Sequence, residues 1–537
     1  MSDTRQGRAW LAVLALLATI SGVCFYRLGG APMYFGGDEA RFAVAAHSIA
    51  TTGEDTNGVR LPLFFHMPEP SGMSTRWYQP VLVYLMAVTF KVVPPSEGGA
   101  RLPMAVLALL DLLLLYMAAR HLLARDGDAI VAVAIFALSP ALLIFSRQAL
   151  DYACPLPFVI GWLWCLNAFG VSGGLLSAAA AGGVLGVGIY SYLASWMMMP
   201  LYLLMTWIAL LRGRWRALPA TAAAGLGFAV PLLLLIPWLW QHPGMIRDTI
   251  SRYGVYDVHR FGPLQGAKDF LNYNNIQERI SIYWDYFNPA FLFLSGGSNL
   301  TTGTRRAGVF LIATAVLLVA GFIELWRRRS EPMTLVIAAG FLLAPLPATL
   351  AGERYAIQRA LYILPFGALI AAVGASALRR DRRALVRVAA VVLLASMPIQ
   401  YAFFCRDYFG DYRVRSAYWF DPENFRGIAD YVLTRDLHST LSAVYISADV
   451  DDARPRWDFY LAKNGRSELG SRTVYFDSRT IDLDRVAPGS LLVLYRVDPA
   501  VPTLLATGKC ALATVITDQS GRELAIVLER NAQEPAA

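Results

Sequence analysis

Residues 78–94 read YQPVLVYLMAVTFKVVP, an apolar run that is short for a membrane span and carries both Pro80 and Lys91. Whether it crosses a bilayer decides on which side every later loop lies. Runs of spanning length, about 20 mainly apolar residues, recur at 9–28, 102–121, 129–147, 155–171, 174–192, 193–211, 217–240, 307–326, 333–351, 359–378 and 386–404. Suppose 78–94 stays on one side. The loops with Arg120 and Arg125, with Arg212, Arg214 and Arg216, with Arg327 to Arg329, and with Arg379 to Arg387 then share a side with Arg5 and Arg8. If it crosses, all those clusters move to the face opposite Arg5 and Arg8. Cytoplasmic loops carry the arginine and lysine excess, so the run reads as an amphipathic or re-entrant helix in the outer interface. The hydropathy count is then about eleven spans, with a cytoplasmic N-terminus.

Composition agrees. Of 537 residues 56% are hydrophobic and only 16% charged, where a soluble chain would carry about a quarter. The net charge of +8 comes from arginines scattered between apolar runs, which is the pattern of membrane topology and not of a nucleic-acid-binding patch. Five cysteines without regular spacing suggest no disulfide framework. The first run lacks a small-residue cleavage motif and reads as a retained span. Scarce lysine with abundant alanine and arginine suggests a GC-rich bacterial gene, hence an inner-membrane protein.

Three segments face outward in this topology: 29–101, 241–306 and the tail from about 406. The tail changes character, giving a division into a membrane domain, 1–405, and an extracytoplasmic α/β domain, 406–537. STLSAVYISAD, SLLVLYRV and CALATVITD read as short buried strands, and PENFRGIADYVLTR as an amphipathic helix. Nothing in the tail looks catalytic.

The chemistry-bearing residues gather on the outer face. In GGDEARFAVAAHSIA (36–50), Asp38 and Glu39 open a helix whose inner face is Phe42, Ala45, Ala46 and Ile49. Asp38 suits an N-cap, yet at the membrane surface it can also meet a lipid-borne substrate. FSRQALDYACPLPF (145–158) returns Arg147 and Asp151 to the same face, so Asp38 and Asp151 are expected to share a polar cleft. Arg101 opens a span, and Glu353, Arg354 and Arg359 lie between two others. Arginines there run against the inside bias; phosphate, which guanidinium grips in a fixed fork, is the natural guest, with an ion pair to Glu353 as the alternative. His66 and Glu69 read as ordinary loop residues, and no nucleotide-binding loop, hydrolase triad or zinc-ligand spacing is present.

In order along the chain, GGDEARFAVAAHSIA, RWYQPVLVYLMA, ARLP, SPALLIFSRQALDY, YWDYFNPAFLFLSGG and RYAIQRALYILPF resemble the GT-C glycosyltransferases, specifically the protein O-mannosyltransferase and aminoarabinose-transferase branch. The resemblance covers roughly residues 9–404. It implies a polytopic α-helical fold with in-plane helices in the first outer loop, a polyprenyl-phosphate sugar donor, and a lipid, glycan or protein acceptor at the outer face. It places Asp38 as catalytic acid, with its neighbour Glu39 in the catalytic set and Asp151 as a second functional acid. Arg101, Arg354 and Arg359 become candidates for the donor phosphate, and Arg147, Tyr78 and Gln79 further substrate-binding candidates. The family's HPP or EKPP element is WYQP here. Gln79 replaces neither a histidine nor a glutamate ligand, so the ligand pattern supports no divalent metal and no cofactor is assigned.

The expected chemistry is inverting transfer with Asp38 as general base. An ionised phosphate acceptor would need no base and would leave Asp38 an orienting role. A transporter or flippase of lipid-linked sugars is the rival reading, although transporters hold their charges near the midplane on interrupted helices. A glycan polymerase or ligase is a third.

Overall fold

The structure, a computed structural model, describes residues 2–68, 75–123, 125–212, 217–252 and 261–531; Glu69, Arg214 and Arg216 lie outside them. Helix α1 (Ser2–Phe25) leads into the first segment expected on the outer side: α2 (Gly37–Thr52), a hairpin of β1 (Phe65–Pro68) and β2 (Thr75–Tyr78), then α3 (Pro80–Phe90). Each residue pairing in that hairpin is antiparallel, from Phe65 opposite Tyr78 to Pro68 opposite Thr75. Helix α3 has 11 residues, about 16 Å at 1.5 Å per residue, half of the roughly 30 Å hydrocarbon thickness. Pro80 starts it, where a missing N–H costs nothing, and it packs on α2 and on α4 (Glu97–Leu122). It is too short to cross.

The membrane part continues through α5 (Asp126–Ala137), α6 (Pro140–Ser146), a 3₁₀ turn at Asp151–Ala153, α7 (Leu156–Ser172), α8 (Leu175–Gly188), α9 (Ser195–Arg212), α10 (Ala217–Leu232) and α11 (Leu235–Gln241). The second segment expected on the outer side holds α12 (Met245–Arg252), α13 (Pro263–Phe270) and α14 (Tyr273–Asp285). There follow α15 (Ala313–Arg327), α16 (Pro332–Leu343), α17 (Leu346–Ala351), α18 (Ile357–Ala360), α19 (Ile363–Arg379) and α20 (Ala384–Phe409). Every apolar run of the sequence falls on one of these helices or on a broken pair. Among the described residues, 6 helices are long and apolar enough to cross, or up to 7 counting α5 and α6, bent by 60°, as one. About eleven crossings is the reading of hydropathy, since α8 and α19 are apolar but shorter.

Helices α4, α5, α7 and α19 form the buried centre, while α10 leaves Leu218, Leu226 and Val230 exposed, as a lipid-facing surface does. Helices α8 and α10 meet at small residues: a Cβ on Gly182 would overlap the Ala224 carbonyl, and one on Gly227 the Ala179 carbonyl.

Residue 405, the expected domain boundary, lies inside α20. After it come α21 (Asp411–Phe420) and the C-terminal α/β unit, here called the outer unit after the side the hydropathy reading expects for it: α22 (Phe425–His438), β3 (Val444–Ser447), α23 (Ala453–Asn464), β4 (Thr473–Phe476), β5 (Leu491–Tyr495), α24 (Ala500–Ala506), β6 (Cys510–Thr517) and β7 (Glu523–Arg530). The sheet order is β4-β3-β5-β7-β6. β3 runs parallel to both neighbours and β7 antiparallel to both of its own. The strands β4 and β7 were not among those expected. Helix α23 seats the unit on α2, where Phe459 stacks on Phe35 at 4.4 Å and Lys463 pairs with Glu97 at 2.8 Å.

Candidate active site

The start of α2 is fixed from beneath. Gly36 is the extended N-cap, and Glu39, not Asp38, satisfies it: Glu39 Oε2 accepts from Gly36 N at 2.9 Å. Glu39 also accepts from Ala149 N at 2.8 Å and is held in a fork by Arg101, Nε to Oε1 and Nη2 to Oε2, both at 2.8 Å. The remaining Arg101 hydrogen bonds go to the carbonyls of Leu28, Pro32 and Tyr34. Both side chains are buried. The expectation that Glu39 is catalytic and Arg101 holds phosphate is therefore corrected. With its N–H groups engaged and no exposed surface, Arg101 has nothing left to offer a substrate.

Arg147 is corrected on the same ground. Fully buried, it donates to the carbonyls of Ala31, Val23, Cys24, Tyr26 and Arg27. These include the last carbonyls of α1, which have no partner inside the helix, and a cation suits that end of the dipole. Arg101 and Arg147 together pin the loop that delivers Asp38.

Asp38 itself is half-buried and lies at the meeting of two cavities. Its Oδ1 accepts from Arg41 Nη1 at 2.7 Å and from Arg76 Nη2 at 3.2 Å; among the described residues nothing addresses Oδ2. Arg41 reaches on to Asp452 in the outer unit. The smaller cavity, about 50 Å³, is lined by Asp38, Asp151, Arg76, Tyr78, Gln79 and Arg359 among others. Asp38 and Asp151 thus do share a polar cleft. Buried Gln79 leaves its Nε2 without a partner among the described residues. Arg76 lies over the Tyr78 ring at 4.3 Å. Burial, and next the charge of Asp38, push the Tyr78 hydroxyl up to about 12, so it stays protonated.

The two arginines between α17 and α19 part company. Arg354 pairs with Asp285, also touches Ser281, is nearly half exposed, and lines neither cavity beside Asp38; the phosphate role expected of it moves elsewhere. Arg359 pairs with Glu353 at 2.7 Å, the alternative raised by the sequence, yet its largely buried side chain still lines the Asp38 cavity. It also borders a third, almost wholly apolar cavity of about 250 Å³ formed by α9, α12 and α17, with Leu193, Trp196, Ile250 and Leu350 in its walls.

The second cavity beside Asp38, about 190 Å³, lies between the membrane part and the outer unit, with Gln148, Tyr152, Trp419, Asp451, Asp452 and Arg456 in its walls. Sequence reasoning missed this contribution of the tail, and missed Arg76. RW in RWYQP was visible, but only pairing of β2 with β1 turns Arg76 toward Asp38. His66 belongs to β1, not a loop, and stacks on Trp77 at 4.5 Å. Among the described residues no group of three or more His, Cys, Asp or Glu side chains could hold a metal ion.

The whole chain is similar to the structure of ArnT from Cupriavidus metallidurans bound to undecaprenyl phosphate. The TM-score is 0.56 at 15% identity, over 96% of this chain and 97% of that one. This is the GT-C fold. The apo structure of the same ArnT matches at 0.52 and 14% identity over the same shares. The archaeal oligosaccharyltransferase AglB from Archaeoglobus fulgidus, in complex with an inhibitory peptide and a dolichol-phosphate, matches at 0.51 and 13% over 84% of this chain and 63% of AglB. No protein-family profile and no curated protein sequence matches. The match to ArnT spans the multi-helix membrane part, the short α3 and the α/β unit alike, since it covers 96% of this chain.

Proposed function

We propose that this protein is a glycosyltransferase that moves a sugar from a polyprenyl-phosphate donor to a hydroxyl acceptor at the outer face of a bacterial cytoplasmic membrane, with inversion. The observation that carries this reading is the position of Arg359. It stands between an apolar groove and the polar cleft of Asp38 and Asp151, where a ligand with a greasy tail, a phosphate and a sugar would lay each part on matching chemistry. The similar ArnT structure holds undecaprenyl phosphate, a lipid of this class.

In that pose the tail enters the groove of α9, α12 and α17, and Arg359 with Arg76 faces the phosphate. The acceptor oxygen attacks the sugar C1 and the bond from C1 to the phosphate oxygen breaks. The electron pair leaves on the phosphate, an already stable anion that needs positive charge and no proton. The acceptor proton passes to Asp38, whose Oδ2 takes no hydrogen bond from the described residues. The arginines on Oδ1 hold the carboxylate in place, and Asp151 faces the same cleft.

The test is transfer by the purified protein from a panel of radiolabelled polyprenyl-phosphate sugars into native membrane extract. Label in a new covalent product supports transfer. Label that only changes leaflet in sealed vesicles, with the donor intact, supports a flippase instead.

A further inference from the structure

A buried guanidinium ties Asp38 to the outer unit. Arg41 stands one turn of α2 beyond Asp38 and donates through Nη1 to Asp38 Oδ1 at 2.7 Å. Through Nη2 it donates to Asp452 Oδ1, at the start of α23. Its Nε has no partner among the described residues, so these two carboxylates alone set the plane of the group.

Asp452 carries two local signs that this contact, and not α23, sets its place. An aspartate at an N-cap ordinarily accepts from the N–H groups of its own first turn, yet the Asp452 side chain caps nothing. Its backbone is left-handed, with φ 49°, a conformation unfavourable for a residue with a Cβ. The carboxylate forgoes the cap and lies against α2, so close to Gly37 that a Cβ there would overlap it. Glycine at 37 is what lets it reach Arg41.

The consequence falls on Asp38. A guanidinium is a planar fork that grips both oxygens of one carboxylate when nothing else engages it. Asp452 occupies Nη2, so Arg41 meets Asp38 at Oδ1 only, and Oδ2 takes no hydrogen bond from the described residues. Released from Asp452, Nη2 would be free to close on Oδ2 and cover the oxygen that takes the acceptor proton.

We infer that Asp452 is a positioning residue: it holds Arg41 so that the guanidinium steadies one oxygen of Asp38 and keeps off the other. The outer unit then serves the reacting carboxylate directly through this one side chain. The inference rests on the reading of Asp38 as the general base.

The test pairs kinetics with a measurement that needs no donor. In full-length protein Asp452→Asn should lower kcat for transfer from the radiolabelled polyprenyl-phosphate panel by about 10- to 100-fold and leave the donor KM unchanged. Gly37→Ala alters no charge but crowds the Asp452 carboxylate; it should do the same, and it decides the matter if Asp452→Asn does not fold. Lys463→Met breaks the other bridge that seats the unit, Lys463 to Glu97, and should leave kcat as it is. Without donor, labelling of Asp38 by a water-soluble carbodiimide, read by mass spectrometry, should be several-fold slower in Asp452→Asn and Gly37→Ala than in wild type or Lys463→Met. Unchanged labelling in a folded Asp452→Asn, or an equal fall in Lys463→Met, would overturn the inference. So would full transfer by Asp452→Asn beside an inactive Asp38→Asn, an outcome that leaves Asp38 as the base. Slowed labelling together with full transfer by Asp38→Asn would instead keep Asp452 as the group that orients Asp38 and remove Asp38 as the base.

Discussion

In the first turn of α2 the Asp38 carboxylate opens on two cavities, while that of Glu39, next in sequence, closes on Arg101. Asp38→Asn should therefore lower transfer by about 10²–10⁴-fold without altering thermal stability in detergent. Arg101→Met should act the other way round. It strands the Glu39 carboxylate in a dry interior, a loss of about 3–5 kcal/mol, visible as a lower melting temperature. An Arg101 variant that folds normally but binds donor weakly would contradict the structural role assigned here. Arg359→Ala should weaken donor binding about 10- to 100-fold, the worth of a charge-assisted hydrogen bond, whereas Arg354→Ala should change it little because Arg354 is spent on Asp285. Measured KM for the donor separates them. The acids were legible in the sequence because topology alone brings Asp38 and Asp151 to one face. The arginines were less so. Position in a sequence shows that Arg101 and Arg147 sit at span ends but not which way they turn, and both turn inward to carbonyls that a helix end or an irregular loop leaves unpaired.

Among elements, the helices followed from hydropathy and the in-plane reading of 78–94 fits α3, because a run with a proline at its start and a lysine at its end makes only three turns of helix. The outer unit was harder. β3, β5 and β6 announced themselves as apolar strands, but β4 is short and partly exposed, and the approach of α23 to α2 joins residues far apart in the chain. Near that junction, burial and then the charge of Asp421 push Glu423 from 4.5 up to about 7. Between those values the folded chain keeps a proton that the unfolded chain has released, so this contribution to stability is lost as pH rises from 4.5 through about 7. Glu423→Gln, neutral at every pH, should then exceed wild type at pH 8 by about 3 kcal/mol at most and match it near pH 4. Melting curves at the two pH values check this; a difference that does not grow with pH contradicts it.

At the scale of the whole molecule, the arginine clusters and the outer unit should lie on opposite sides of the membrane. A membrane-impermeant thiol reagent applied to intact spheroplasts should label Lys509→Cys and spare Arg382→Cys; labelling of both or the reverse pattern would undo the topology. In the proposed topology Asp38 lies where a lipid-linked donor and an outer acceptor would meet, with Arg359 lining the cavity on one side of it and the C-terminal unit that on the other. That meeting is what the sequence could not display, since it needs the first outer segment, the loop before α7, the stretch before α19 and the tail folded together. The most direct measurement is transfer of radiolabelled sugar from a polyprenyl-phosphate panel by wild type, Asp38→Asn and Asp38→Glu, each shown to melt alike. With Asp38 as general base, wild type should give a new labelled product, Asp38→Glu little and Asp38→Asn none above background. Full transfer by Asp38→Asn, or none by any folded form across the panel, would contradict it.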